Sequence, residues 1–388
     1  MSNIFPFEYK HLNSQFEFRA PIIGLGAQDK SSLALAKNKE VYLSRSSGNL
    51  TDACEFKGFE KKLKYFIRYA TVRDFAFDLH PDYVSRQLIH GLSQINGKHS
   101  NLFGIQHHHA HIASCIFEHN IKGEVIGVAF DGTGFGLDGN LWGGDFFVGD
   151  LRDFKRVAHL DYTPLVGAEA AILEPNRIAA SLLYLIYGKR FLGLKIGFVK
   201  KIDVKKWNFL KKMLENKINS PLSCSAGRLF DAVSALLGLV DERIAFEAEG
   251  PIKLEQLANR FTHRDLKNMY YNYKLNRQTG FYIVDSRKII RQIVNDLSKK
   301  KDLEKIAFKF HNTLAGLIFE LANIIRRTSG IKRIVLSGGV FTNKLLSSLA
   351  RTKLKEKGFK VFEHKTIPPS DASICLGQIL IANSKRNK

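Results

Sequence analysis

VIGVAF (125–130) runs directly into DGTGFG (131–136), and FFVGDL (146–151) comes next. An apolar run ending in a carboxylate and glycines, then a second apolar run, reads as strand, tight turn, strand. The same theme opens the chain. IIGLGA (22–27), SLALAK (32–37) and EVYLSR (40–45) are short β-type runs, read as a three-stranded antiparallel start. Two such units, each leading into a helix-rich region, predict an α/β protein of two related lobes facing one another. No internal repeat is strong enough to demonstrate a duplication.

Working outward, a helix is expected over 56–70, a strand at FAFDLH (75–80) ending before Pro81, and a helix over 108–120. Residues 174–330 read as mostly helical, with apolar faces in RIAASLLYLIYG, GRLFDAVSALLG and IAFKFHNTLAGLIFELANIIRR. The more polar middle of that region, 262–302, is expected to be irregular. The end returns to strand and helix through RIVLSGG, KVFEH and SDASICLGQILIAN.

At 388 residues the chain can bury one large core or two lobes. No apolar run approaches the roughly 20 residues needed to span a bilayer, and the N-terminus lacks the pattern of a secretory signal. Cys54, Cys115, Cys224 and Cys375 are far apart with no CxxC pair. That argues against a zinc finger or a disulfide framework and fits a cytoplasmic location. The net charge of +22 invites a nucleic-acid reading. The basic runs are short and scattered (Lys61-Lys62, Lys200-Lys201, Lys211-Lys212, Lys299 to Lys301), with no aromatic interleaving. Solvated lysine-rich helix faces are therefore the preferred reading, and a nucleotide or an acidic partner fits the charge as well.

Three constellations carry chemistry. In QHHHAH (106–111), His107 and His111 stand at i and i+4, so a helix puts both imidazoles on one face where they can share a metal. A polar helix start with solvated histidines is the alternative. Cys115, one turn on, reads as a small buried apolar residue. In DGTGFG, Asp131 ends a strand, and Gly132 and Gly134 allow close approach of backbone N–H groups to a phosphate or metal; a plain β-turn is the alternative. In LSGGVFTN (336–343), Gly338 and Gly339 let the backbone press against a flat or phosphorylated ligand at a helix start, or simply make a tight turn. It is neither a Walker loop nor a GxGxxG fingerprint. Asp371, after Pro368-Pro369-Ser370, is either a helix N-cap or a metal ligand.

DLHPDY (78–83), IQHHHAHIAS (105–114), GVAFDGTGFGLDGNLWGGDF (127–146), GRLFDAVSALLG (227–238), FHNTLA (310–315), LSGGVFTN (336–343) and PPSDASICLGQ (368–378) occur in that order. Jointly they resemble the C-terminal transferase domain of the hydrogenase-maturation carbamoyltransferases, the HypF family, from about residue 20 to 380. The resemblance implies a two-lobed actin/Hsp70-like (ASKHA) fold with nucleotide and metal in the interlobe cleft. Lobe I would cover 20–122, with 365–385 returning to it, and lobe II 123–364. It implies His107, His111, Asp131 and Asp371 as ligands of one divalent metal, zinc or iron. Gly338, Gly339, Asn343 and Asp231 would contact the nucleotide, Gly132 and Gly134 its phosphate, and Lys30 is a weaker phosphate candidate. The implied reaction takes carbamoyl-adenylate, made with ATP, and carbamoylates the C-terminal cysteine of a HypE-like acceptor. His80 and His108 are candidates for proton handling or carbamoyl contact.

Departures from the family qualify these expectations. The acylphosphatase-like domain, zinc-finger pair and YrdC-like domain of the full-length enzymes have no counterpart in these residues. The adenylate is thus expected from a separate YrdC-like protein or domain. The start Met1-Ser2-Asn3 slightly favours a stand-alone protein over a shortened piece of a longer one. Leu165 to Glu169 and Glu174 to Arg177 depart from the family's usual stretches, which bears on the substrate pocket and the acceptor. The alternatives are a tRNA threonylcarbamoyltransferase, an O-carbamoyltransferase and a non-catalytic nucleotide-binding scaffold.

Overall fold

A computed structural model of the chain describes residues 4–95, 100–262 and 269–386. Two mixed sheets organise it. The first has the order β2-β1-β3-β4, from strands β1 (Tyr9–Gly24), β2 (Ala34–Ser44), β3 (Asp74–Asp78) and β4 (Asn101–Ile105). β1 and β2 form an antiparallel hairpin, and β3 and β4 add in parallel.

The second sheet repeats this plan. Its strands are β5 (Val125–Phe135), β6 (Leu141–Asp150), β7 (Asp153–Leu160), β8 (Thr163–Pro164), β9 (Leu222–Ser223), β10 (Lys274–Gln278), β11 (Phe281–Asp285), β12 (Arg333–Ser337) and β13 (Lys360–Glu363). β5 and β6 form the hairpin, and β12 and β13 add in parallel on the β5 side. β7, β11 and β10 extend the β6 side. An antiparallel hairpin succeeded by two parallel strands therefore occurs twice, which is the relation expected from the two opening motifs.

Three expectations need correction. The opening is two long strands, not three short ones: SLALAK and EVYLSR lie in the single strand β2. Its polar stretch Lys37 to Glu40 is exposed, and Asn38 has φ 56° where the register with β1 shifts. An edge strand can carry such charges, since one side faces water.

Secondly, DGTGFG is not the turn. β5 continues through it to Phe135, and the turn falls at Gly136 to Asn140, closed by Gly136 N–H on Asn140 O at 2.8 Å. Phe130 pairs with Gly144 and Gly134 with Trp142, so three residues of β5 stand opposite Gly143 alone. This bulge takes Asp131 out of the ladder.

Thirdly, the stretch 262–302 is largely ordered. It holds the hairpin β10–β11 and a helix, Arg287–Ser298, although 263–268 lie outside the described residues.

Two apolar cores result. One packs the helix Ala53–Ala70 on the first sheet through Phe59, Leu63, Phe66, Phe75 and Phe77. The larger covers both faces of the second sheet and includes the helices His107–His119 and Ile374–Arg386. These two helices pack backbone to backbone, since a Cβ on Gly377 would lie 1.9 Å from Ala110 O. Cys115 is buried within this core, as read. Among the described residues, no helix is long and apolar enough to cross a membrane.

Candidate active site

The helix His107–His119 begins where β4 ends. Gln106 caps it, its side-chain oxygen accepting His109 N–H at 2.9 Å. The first turn thus places His107 and His111 on the buried face, both fully inaccessible. Asp131 comes to them from the β5 bulge and Asp371 from the short helical turn before Ile374–Arg386. One donor atom from each of the four lies within 4.8 Å of the other three.

The His-to-carboxylate spacings are uniform. His107 Nε2 is 3.4 Å from Asp131 Oδ2 and 3.6 Å from Asp371 Oδ1. For His111 Nε2 the distances are 3.6 and 3.3 Å. A tetrahedral ion about 2.1 Å from each of four donors requires donor spacings of roughly 3.4 Å. Both Nε2 atoms are buried without a hydrogen-bond partner, which buried imidazoles rarely tolerate. Two neutral imidazoles and two carboxylates carry a charge that a divalent cation balances, and an N₂O₂ set suits zinc or iron. The donor set therefore fits the expected metal. Asp371 also turns out not to serve as a cap: its carboxylate faces the histidines.

Electrostatics tie the cluster together. Burial alone would lower His107, but Asp371 and Asp78 push its pKa well above the usual imidazole value. Burial would raise Asp131, yet His111 and His107 hold it well below the usual carboxylate range.

The backbone around the cluster explains the glycines. Gly338 has φ 101°, and a Cβ there would meet Phe130 O at 2.3 Å. This close approach brings Gly339 N–H to Asp131 Oδ1 at 2.8 Å, leaving Oδ2 for the histidines. A Cβ on Gly134 would lie 2.6 Å from His108 Cε1 and 2.7 Å from His107 Cδ2, so the strand needs glycine to pass over the rings. Gly132 is open, its nearest neighbour being Arg228 Nη2 at 3.9 Å.

The other expected residues divide. Asp231 is buried on the helix Ala226–Leu236, 2.9 Å from Arg228 Nη2, and burial pushes it up to about 6 despite that guanidinium. Asn343 caps the helix Lys344–Glu356 through Leu346 N–H and gives its amide to His311 Nε2 at 2.9 Å, so the fold itself engages both ends of its side chain. Lys30, exposed, is engaged by Glu247 at 2.7 Å. His108 is buried beside the four-donor cluster with Nε2 unpartnered. His80 stacks on Tyr83 at 4.3 Å and accepts Asp82 N–H through Nδ1 at 3.2 Å.

Sequence reading missed Asp78. Its Oδ2 lies 2.7 Å from His107 Nδ1 and its Oδ1 accepts His80 N–H at 2.9 Å. A carboxylate held on the far nitrogen of a ligating histidine fixes ring and tautomer. The signal was present: an acid closing a fully buried apolar strand has to be paired with something.

A family model described as "HypF Kae1-like domain" matches residues 17–118, and "Carbamoyltransferase, Kae1-like Domain, second subdomain" matches 127–378. The chain is 34% identical over 379 residues to Carbamoyltransferase HypF of Synechocystis, covering 92% of this chain and 46% of that protein. It is 31% identical to the Carbamoyltransferase HypF homolog of Cupriavidus necator, with 94% of this chain and 91% of that protein covered. A crystal structure of full-length HypF in the phosphate- and nucleotide-bound form matches with TM-score 0.88 and 35% identity, over 96% of this chain and 47% of that one. The chain thus spans about half the length of the full-length relatives. With both subdomain models matched in order and the backbone superposing throughout, the chain belongs to the HypF Kae1-like carbamoyltransferase domain family, and its fold is of the actin/Hsp70-like α/β class.

Proposed function

We propose that this domain transfers the carbamoyl group of carbamoyl-adenylate to the C-terminal cysteine thiolate of a HypE-like protein, in hydrogenase maturation. The observation that carries the proposal is the buried convergence of His107, His111, Asp131 and Asp371 beside backbone kept bare by glycine. These four residues would hold the metal, which when bound supplies Lewis-acid polarisation of the carbamoyl or phosphate oxygen. In the transfer, sulfur forms a bond to the carbamoyl carbon. The carbon–oxygen bond to phosphate breaks, its electron pair leaves with AMP, and the product is a thiocarbamate. The adenylate itself would come from a YrdC-like partner.

The chain's own residues support this. The Gln106 side-chain oxygen accepts His109 N–H, so its amide nitrogen is the group 3.3 Å from His108 Nδ1. His108 Nδ1 is therefore the acceptor, and the neutral ring carries its proton on the unpartnered Nε2. Burial keeps that ring neutral. His108 then serves as a hydrogen-bond donor to the carbamoyl oxygen as negative charge builds on it, rather than as a base. By the same logic the proton of a neutral His80 sits on Nε2, because Asp82 N–H occupies Nδ1. Gly338, Gly339 and Asp231 would border the nucleotide, in a cleft between lobe I (20–122 with 365–385) and lobe II (123–364).

The test supplies carbamoyl-adenylate, made in situ by a YrdC-like domain, together with a HypE protein, and weighs the intact acceptor. A carbamoyl mass on its C-terminal cysteine that depends on this chain is the expected result. No transfer, with metal and nucleotide both bound, would overturn the acceptor. The net charge of +22 makes tRNA the next acceptor to try.

A further inference from the structure

We propose that Glu118 is a positioning residue that sets Asp371 in the ligand cluster, acting from the far end of the helix that carries His107 and His111. The proposal rests on the ligand reading above. Glu118 occupies the last turn of the helix His107–His119, with its side chain almost fully buried. Its Oε1 accepts Thr366 N–H at 2.5 Å, Thr366 Oγ1–H at 2.9 Å, Lys365 N–H at 3.1 Å and Ile367 N–H at 3.3 Å. Its Oε2 lies 3.1 Å from Lys365 N and 3.3 Å from His364 Nδ1. Three successive backbone N–H groups thus close on one carboxylate, a concave anion site made by the chain itself. Burial would raise this acid, but His364 and the 365–366 donors hold it down to about 2.

Immediately after Ile367 the chain reads Pro368-Pro369-Ser370-Asp371. Two prolines fix two φ angles and keep the residues before them extended, so little slack separates the clamp from the ligand. Beyond Asp371, Gly377 locks the next helix against Ala110 of the histidine helix. Asp371 therefore hangs between two anchors on the same helix that presents His107 and His111. A third tie runs from His364 Nε2 through Ser337 Oγ at 2.9 Å to His111 O at 2.7 Å. All of these contacts make the 364–371 segment a spacer of set length between the two ends of the histidine helix.

The experiment titrates the metal-free domain with Zn²⁺ against a chromophoric chelator and follows thermal unfolding of the same samples. Asp371→Ala is the reference and should weaken Zn²⁺ by more than the roughly 10–100-fold expected for Glu118→Ala, whose loss acts through that residue. Glu118→Gln should recover most of that loss, because the amide oxygen can accept the same N–H groups. Pro368→Gly with Pro369→Gly, which removes none of the clamp's contacts, should also weaken Zn²⁺. A plain structural role would lower the melting temperature of Glu118→Ala and leave Zn²⁺ affinity alone. Affinity within about twofold of the parent for Glu118→Ala, with Asp371→Ala weakened, overturns the proposal. Parent affinity in Asp371→Ala overturns the ligand reading instead. Should Glu118→Ala not fold, an unchanged affinity in the double glycine variant overturns the proposal by itself.

Discussion

Replacing Asp78 with Asn exchanges one oxygen for an NH₂ of nearly the same size, so packing is kept and only hydrogen-bond polarity changes. Asp78 faces two groups. His80 N–H is a backbone donor that cannot invert, and it lies 2.9 Å from Oδ1. The Asn oxygen must therefore stay on that side, which turns the NH₂ towards His107 Nδ1, now 2.7 Å from Oδ2. A donor facing Nδ1 moves the imidazole proton to Nε2, the atom aimed at Asp131 and Asp371. A protonated Nε2 cannot ligate. Loss of such an outer-shell partner lowers metal affinity by roughly 10–100-fold, or about 1.4–2.8 kcal/mol. Asp78→Ala acts differently: it leaves Nε2 free to ligate but orphans a buried N–H on His107, so its cost should fall on stability more than on the tautomer. The assay is Co²⁺ titration read from its visible ligand-field bands, with Zn²⁺ competition for affinity. Asp78→Asn binding Co²⁺ within twofold of the parent, with the same spectrum, would refute the tautomer argument.

Other perturbations probe the same neighbourhood. Gly134→Ala should impair metal binding because its Cβ would press into His107 and His108, whereas Gly132→Ala, with 3.9 Å to its nearest neighbour, should bind metal as the parent does; metal content after dialysis separates the two. His107→Ala and His111→Ala should each lose metal and transfer, while His109→Ala, whose ring packs on Phe147 and Phe154, should retain most of both. Equal loss in all three would remove the ligand assignment. Burial holds His311 down to about 4, despite its bond to Ala307 O. A histidine depressed in the folded state contributes stability that is full above about 6.5 and lost as pH falls towards 4. That amounts to at most about 3 kcal/mol, from 1.36 kcal/mol per pKa unit. His311→Gln should remove that part of the acid lability, seen as a shallower fall in urea midpoint between pH 7 and 4.

How much of the fold was legible depends on whether local pattern and tertiary role agree. VIGVAF and RIVLSGG are apolar runs bounded by glycine, and both are central strands. SLALAK and EVYLSR were separated at Lys37 to Glu40 because a polar run between apolar ones is ordinarily a turn. An edge strand leaves one side to water, and that exposure is decided by neighbours the local sequence does not contain. DGTGFG failed for a related reason. Its glycines look like turn residues, but none of Gly132, Gly134 and Gly136 has a positive φ: the strand carries three residues past one there, and it is the missing Cβ of Gly134 that lets it pass over two imidazole rings.

The site shows the same division. His107 and His111 are legible because helical spacing alone puts them on one face. Asp131 and Asp371 are each legible only as an acid at the end of an element, and what joins them is a meeting of segments 240 residues apart in the chain. That meeting is built by contacts whose partners the local sequence does not name: Gly339 N–H on Asp131, Glu118 on the 365–367 backbone, and Gly377 against Ala110. Each is an ordinary residue type whose role exists only across the fold. The identity of the four donors can thus be written in short motifs, while their geometry is held by supports dispersed along the chain. A variant that keeps every motif residue but alters Glu118 would for that reason keep the family signature and is expected to lose affinity for the metal.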